Sequence, residues 1–185
     1  MKNPGASKRY AKALLNLVKE EGGVDSCYKD MQHLKRTIFS NRDLATLLKS
    51  PIINSDLKIK ILKSIFHQNI SETSMRFIEI IARKGRESLL SEISDAFIKL
   101  YKNYNNIESA EIITPRPIDD AIKKEIIGFI KKNSGKEVEL TEKIDESIIG
   151  GAIINMGDKQ LDTSVSSCLK ALKLEFSKNL YIQDY

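Results

Sequence analysis

The side chains able to do chemistry are few, and their spacing keeps them apart. Asp119 and Asp120 form a carboxylate pair of the kind that general acid–base catalysis uses. Neighbouring residues on a helix point about 100° apart, so this pair reads instead as negative charge at a helix N-terminus. Cys27 and Cys168 have no Cys or His at metal-ligand spacing. Each falls at an apolar position of a helical pattern, which predicts two small buried hydrophobes rather than a disulfide or a nucleophile. His33 and His67 likewise stand without Cys, Asp or His at ligand spacing. The Gly150-Gly151 pair lacks the third glycine and the helix start of a dinucleotide cradle. No G-x-x-x-x-G-K-[ST], G-x-S-x-G, H-E-x-x-H or C-x-x-C occurs. The expectation is a chain with no catalytic residue, no cofactor and no metal.

The double glycine has another use. It sits in an apolar, β-branched run, Ile148 to Ile154, closed by a Gly157-Asp158 turn. Two glycines in such a run predict a strand that bends sharply or packs flat against a neighbour, because only glycine lacks the Cβ that would clash. It reads as a joint.

Around it the chain divides into two patterns. Before residue 105, apolar residues recur at helical spacing. Tyr10, Leu14, Leu17 and Val18 form one face, which ends at Gly22-Gly23. Tyr28, Met31, Leu34 and Ile38 predict a second helix, and Leu44, Leu47 and Leu48 a short third that Pro51 stops. Ile61, Leu62, Ile65 and Phe66 follow a cap signal at Asn54-Ser55-Asp56. Phe77, Ile80 and Ile81 precede Gly85 as a C-cap, and Leu89, Leu90, Ile93, Phe97, Leu100 and Tyr104 make a sixth stripe. Six short helices predict a bundle. After Asn105 the pattern shortens. Ile107 to Thr114 reads as a strand and Asp119 to Lys132 as a helix with Ile122, Ile126, Phe129 and Ile130 inward. Val138 and Leu140 mark a second strand, followed by the Gly-Gly strand. Val165, Cys168, Leu169, Leu172 and Phe176 lie on a last helix. The fold expected is mainly α, a six-helix bundle over residues 1–105 and a small α+β domain over 106–185.

Charge follows the same division. Residues 1–105 carry 19 Lys+Arg against 11 Asp+Glu, a net of +8, while residues 106–185 carry 11 against 14, a net of −3. A basic helical half raises nucleic-acid binding as an alternative function. Its lysines are spread over every helix and its aromatics fall at inward positions, so a solvated surface is the expectation and nucleic acid is not an expected partner. An enzyme would need a titratable cluster that chain order does not reveal. A hydrophobic fraction of 41% and a charged fraction of 30% suit a helix-rich soluble protein. No apolar run approaches the roughly 20 residues of a membrane-spanning helix. Met1-Lys2-Asn3-Pro4-Gly5 has neither the apolar core of a signal peptide nor transit-peptide character. A cytosolic chain is expected.

Four stretches together resemble the delta subunit of F-type ATP synthases, the bacterial counterpart of the mitochondrial oligomycin-sensitivity-conferring protein. They are Arg9-Tyr10-Ala11-Lys12-Ala13-Leu14, then Leu47-Leu48-Lys49-Ser50-Pro51 with Lys58 and Lys60, then Phe77-Ile78-Glu79-Ile80-Ile81 leading to Lys84-Gly85-Arg86. The fourth, and most specific, runs from Ile144-Asp145 through Ile149-Gly150-Gly151 and Gly157-Asp158 to Asp162 and Ser164-Val165. Glu87 departs from the family's usual leucine, and Pro115-Arg116-Pro117 replaces its usual Leu-Thr.

The resemblance implies a six-helix bundle with a smaller α+β domain behind it. It also implies a non-catalytic stator connector that links the alpha-subunit N-termini of the catalytic head to the b-type peripheral stalk. The head then resists rotor torque during proton-driven ATP synthesis. By the same resemblance, a groove between the first and fifth helices takes an amphipathic alpha-subunit helix. Tyr10, Ala11, Leu14, Phe77, Ile80 and Ile81 would be its residues. The C-terminal domain would hold the stalk, with Asp145, Gly150, Gly151, Asp162 and Ser164 shaping it rather than touching the partner. One copy per complex is implied, not a homo-oligomer. It would lie peripherally at the cytoplasmic face of the bacterial plasma membrane and meet the membrane only through the complex.

Overall fold

Apolar residues at every third or fourth position wind the first hundred residues into six α-helices. These are α1 (Pro4–Glu21), α2 (Val24–Ser40), α3 (Arg42–Lys49), α4 (Ser55–Phe66), α5 (Glu72–Arg83) and α6 (Leu90–Tyr104), with a 3-10 turn at Glu87–Leu89 before the last. The computed structural model describes residues 4–157 and 159–177, so the Met1-Lys2-Asn3 opening and Asp158 of the Gly157-Asp158 turn lie outside the described residues. The chain divides into two compact units, Met1–Asn105 and Asn106–Tyr185.

In the first unit α6 is the central helix, with α1 and α2 packed against it, while α5 packs on α4 and α2. Leu14, Met31, Leu34, Phe66, Ile78 and Phe97 are among the side chains removed from solvent. Gly85, at φ +63°, closes α5: its N–H donates to Ala82 O and the Arg86 N–H reaches back to Ile81 O. At the other end of α5, the Ser71 hydroxyl accepts from the Ser74 N–H. The Ser71 hydroxyl and N–H both donate to Asp30 of α2. Asn41 and Asn54 hold the N-cap positions of α3 and α4 without a capping side-chain bond.

Several inward assignments move to a neighbour two or three residues away. Leu17, Ile65, Ile80 and Tyr104 are exposed, and Leu15, Ile78 and Tyr101 take the interior instead. α1 is wedged between α6 and α2, which buries a face centred on Ala11, Leu14, Leu15 and Val18. Tyr101 tolerates burial because its ring stacks on Tyr28 at 3.9 Å and its hydroxyl donates to Asp25 at 2.6 Å.

The second unit is built on a mixed sheet. β1 (Ile107–Thr114) runs into α7 (Asp120–Ser134) and then β2 (Glu137–Ile144), which pairs parallel with β1. β3 (Ile153–Met156) pairs antiparallel with the other edge of β1, and β4 (Lys159–Asp162) antiparallel with β3, giving the order β2-β1-β3-β4. α8 (Val165–Ser177) follows. Ala110, Ile112, Ile130 and Ile154 make the core, with Ile118, Ile126, Val138, Leu140, Ala152 and Met156 half-buried around it.

Three details differ from the sequence reading. The strand holding the double glycine begins only at Ile153; residues 148–152 are irregular, and Ile149 is exposed. β4 was not expected, because Lys-Gln-Leu-Asp carries none of the β-branched or aromatic residues that mark a strand, and all four residues are exposed. Ile122 and Phe129 of α7 face outward, as does Cys168 of α8; only Cys27 is a buried thiol. The fold is mainly helical with a small mixed sheet, in all eight α-helices and four strands among the described residues.

Candidate functional site

The motifs that punctuate the sequence meet in pairs. Arg86, directly after the Gly85 turn, donates to the Tyr10 hydroxyl and lies over the Tyr10 ring at 5.6 Å from its centroid. That contact ties the Arg9-Tyr10 stretch to the Lys84-Gly85-Arg86 stretch across 76 residues of chain. At the opposite end of the same two helices, Thr73 Oγ1 of α5 donates to Glu21 Oε2 of α1 at 2.8 Å. α1 and α5 therefore run antiparallel with a polar clasp at each end.

Between the clasps lies an apolar strip. Tyr10, Ala13, Leu17 and Glu21 follow one line of α1 at steps of three or four residues, and Thr73, Phe77 and Ile80 one line of α5. Leu17 is 43% exposed and Ile80 is 52% exposed, while Ala13 is small and exposed. Of the six residues expected in this groove, Ala11, Leu14, Phe77 and Ile81 are buried inside the bundle. Only Tyr10, half-buried, and Ile80 reach the surface. The four buried residues shape the floor; small Ala13, expected to let a partner helix approach, is exposed, while Leu17 was missed as a surface residue although the step Tyr10–Leu17 was in the periodicity.

A second junction joins the other motifs. Lys58 of α4 is almost wholly buried, at 2% exposure. Its ammonium donates to Ser50 O at 2.6 Å, the carbonyl just before Pro51, and to Glu87 Oε1 in the 3-10 turn. A proline-broken helix end is thus held by a lysine from the next helix and a carboxylate from the α5–α6 connection. The ion pair is the side-chain signal behind the spacing from Ser50-Pro51 to Lys58.

In the second unit the double glycine faces the chain that enters α8. Gly151 has φ +83°, and a Cβ there would stand 2.3 Å from Thr163 O and 2.9 Å from Ser164 Cα. No other residue fits. The Gly150 carbonyl accepts from the Val165 N–H at 3.0 Å, and the Ala152 carbonyl from the Thr163 N–H at 2.9 Å and its hydroxyl at 2.7 Å. Asp162 then starts α8: its Oδ1 accepts from the Ser164 N–H at 2.9 Å and its Oδ2 from the Ser167 hydroxyl at 2.6 Å. Ser164 is itself buried and accepts from the Ser167 N–H at 3.3 Å. Asp145 accepts from the Ser147 hydroxyl at 2.6 Å and N–H at 3.0 Å. The Ser167 and Ser147 hydroxyls, with the adjacent N–H donors, hold both carboxyls below the usual aspartate range.

The helix so placed is unusual. Val165, Leu169, Leu172 and Phe176 fall at i, i+4, i+7 and i+11, one stripe, and all are exposed, Phe176 to 87%. A further apolar residue, Leu174, is 65% exposed. No cluster of three or more His, Cys, Asp or Glu able to hold a metal occurs among the described residues. Burial pushes the Cys27 thiol up to about 11, leaving it inert.

Comparison with known proteins places the chain in a family. The sequence model of a family described as the ATP synthase delta (OSCP) subunit matches residues 6–176. The chain is 34% identical over 168 residues to an ATP synthase subunit delta of Chlorobium phaeobacteroides, covering 91% of this chain and 93% of that protein. Against the subunit delta of Christiangramia forsetii the identity is 33% over 182 residues, covering 98% of each. A chain of the Toxoplasma gondii mitochondrial ATP synthase hexamer shares the fold, with a TM-score of 0.75, 18% identity and coverage of 92% and 96%. The chain therefore belongs to the ATP synthase delta (OSCP) subunit family.

Proposed function

We propose that the chain is the connector of an F-type ATP synthase stator. The first unit holds an amphipathic helix from the N-terminus of an alpha subunit of the catalytic head, and the second holds the end of the b-type peripheral stalk. Membership of the delta family makes it a structural, not a catalytic, subunit. Its task is to transmit reaction torque, so that the head stays still while the rotor turns during proton-driven synthesis.

The observation that carries this reading is the pair of separate apolar surfaces, one on each unit. On the first, Leu17 and Ile80 supply the apolar anchors, Ala13 lets a partner backbone approach, and the Tyr10–Arg86 and Glu21–Thr73 clasps bound the ends. Tyr10 and Ile80 touch the partner; Ala11, Leu14, Phe77 and Ile81 support them from beneath. From Tyr10 to Glu21 the strip spans about 16 Å, three turns of a docked helix. On the second unit, the Val165–Leu169–Leu172–Phe176 stripe of α8 is the stalk-facing surface. Asp145, Gly150, Gly151, Asp162 and Ser164 position that stripe from the inside. One copy serves each complex, and membrane association comes through the complex at the cytoplasmic face of the plasma membrane. No described helix is long and apolar enough to cross a membrane.

Calorimetry of the full chain with a synthetic peptide of the cognate alpha-subunit N-terminus tests the first half. A micromolar Kd with a negative heat-capacity change is expected, and Ile80→Glu should weaken it at least about 30-fold, the loss of one central apolar anchor. Binding that is indifferent to Ile80→Glu removes the α1–α5 strip from the account.

A further inference from the structure

A cleft on the first unit is separate from the α1–α5 strip and belongs to no role described above. It lies between the C-terminal end of α2, α3 and the 3-10 turn, with a volume of about 410 Å³. Ile38, Ala45 and Leu48 give it an apolar floor, and Phe39 stands at its lip, 91% exposed. Ser88 and Ser91 form the far wall. Phe39 and this floor line one cleft, so the exposed ring extends a contiguous apolar surface, the kind that marks an interaction site.

The charges at the mouth decide what would cover it. Arg42, Ala45 and Lys49 follow one line of α3 at i, i+3 and i+7, so the two cations stand about 10 Å apart along the helix with a methyl between them. Both side chains are exposed, and neither forms an ion pair among the described residues. The one acid at the cleft, Glu87, is buried and already paired with Lys58. The field at the mouth is therefore positive over an apolar centre. Phosphates alone would leave the floor and Phe39 unused, and a cationic segment would face repulsion from both ends.

We propose that this cleft docks an acidic amphipathic helix of a partner protein. Its acids sit at i and i+7, opposite Arg42 and Lys49, and an apolar residue at i+3 or i+4 enters the cleft under Phe39. The spacing follows from the helix rise: seven residues match the separation of the two cations. Charge steers the encounter and sets the register, while the apolar contact holds the complex.

The sequence contains no tryptophan, so Phe39→Trp places a single reporter at the lip without disturbing the interior. The probe is a synthetic helical peptide carrying Glu-x-x-Leu-x-x-x-Glu, compared with its Lys-for-Glu twin and with a scrambled peptide of identical composition. With the full-length chain, the acidic peptide should give a saturable blue shift at micromolar concentration, and the other two should give none. Adding Arg42→Glu and Lys49→Glu should weaken the acidic peptide at least tenfold and admit the Lys twin. Unchanged thermal melting shows that these surface variants fold. Ile80→Glu should leave the signal intact, which separates this cleft from the alpha-subunit strip. Equal binding of the scrambled peptide, insensitivity to the charge reversals, or no saturable shift overturns the proposal.

Discussion

The two units solve different problems with the same kinds of residue. In the first, six helices enclose a core with Phe66, Ile78, Ile81, Leu90 and Phe97 fully removed from solvent, and even a lysine is buried at its junction. In the second, four residues form the core and a whole amphipathic helix keeps its stripe in water. Of the large apolar side chains left exposed among the described residues, more lie in the shorter second unit than in the first. A small domain that exposes this much apolar surface gives up stability that a partner restores on binding, because burial contributes about 25 cal/mol per Å². The lesson is that the first unit closes its core on folding, whereas the second leaves a helix-long apolar stripe open.

The largest break in that comparison should come from Gly151→Ala. A Cβ at positive φ against the Thr163 carbonyl would cost about 3 kcal/mol or more, comparable with the stability available to so small a core. Hydrogen exchange on the full chain should show protection lost throughout β1–β4 and α7, with α1–α6 unchanged. If both units lose protection together, the division of labour is false.

Next is the buried pair of the first unit. Lys58→Met leaves the Glu87 carboxylate without its counter-charge and should cost about 3–5 kcal/mol in urea unfolding. Lys58→Met combined with Glu87→Leu should recover most of that loss, because an apolar pair of similar volume needs no compensation. A double variant as weak as the single would mean that the Ser50 carbonyl, not Glu87, is the essential partner of Lys58.

Acid should discriminate the units more gently. Asp162 and Asp145 have folded pKa values depressed by the Ser167 and Ser147 hydroxyls and neighbouring N–H groups. A depressed carboxylate contributes stability that is present above its unfolded pKa and lost as pH falls through the folded one. The second unit should therefore lose protection as pH drops below the ordinary aspartate range. Asp162→Asn should remove part of that dependence while leaving the pH 7 fold in place. A profile unchanged by Asp162→Asn assigns the acid sensitivity elsewhere.

Much of this architecture is legible in the sequence. Helix periods, the Gly85 turn and the first two strands follow from local spacing, because each is decided by residues within one or two turns of each other. What escaped was set by partners distant in sequence. Leu17 faces outward because α1 is wedged between α6 and α2, and Ile80 because α5 turns its buried face to α4 and α2. β4 exists by pairing with β3 and not by its own composition. The contacts of Arg86 with Tyr10 and of Lys58 with Glu87 span 76 and 29 residues, and nothing in either segment alone announces them. The double glycine was readable as a joint, but its counterpart, Thr163-Ser164, was not. For the proposed docking surfaces, periodicity placed apolar residues on the helices and the family resemblance pointed to the groove; only the packing says which of those residues stay exposed.

The most direct test of the central claim is whether one chain holds two partners through two independent surfaces. The full chain, the alpha-subunit N-terminal peptide and the C-terminal segment of the cognate b subunit would be sedimented together, wild type beside Ile80→Glu and Leu169→Glu. A connector predicts a ternary complex for the wild type, selective loss of the alpha peptide with Ile80→Glu, and selective loss of the stalk segment with Leu169→Glu. Failure of the two ligands to bind the same chain at once, or a single substitution that releases both, would contradict it.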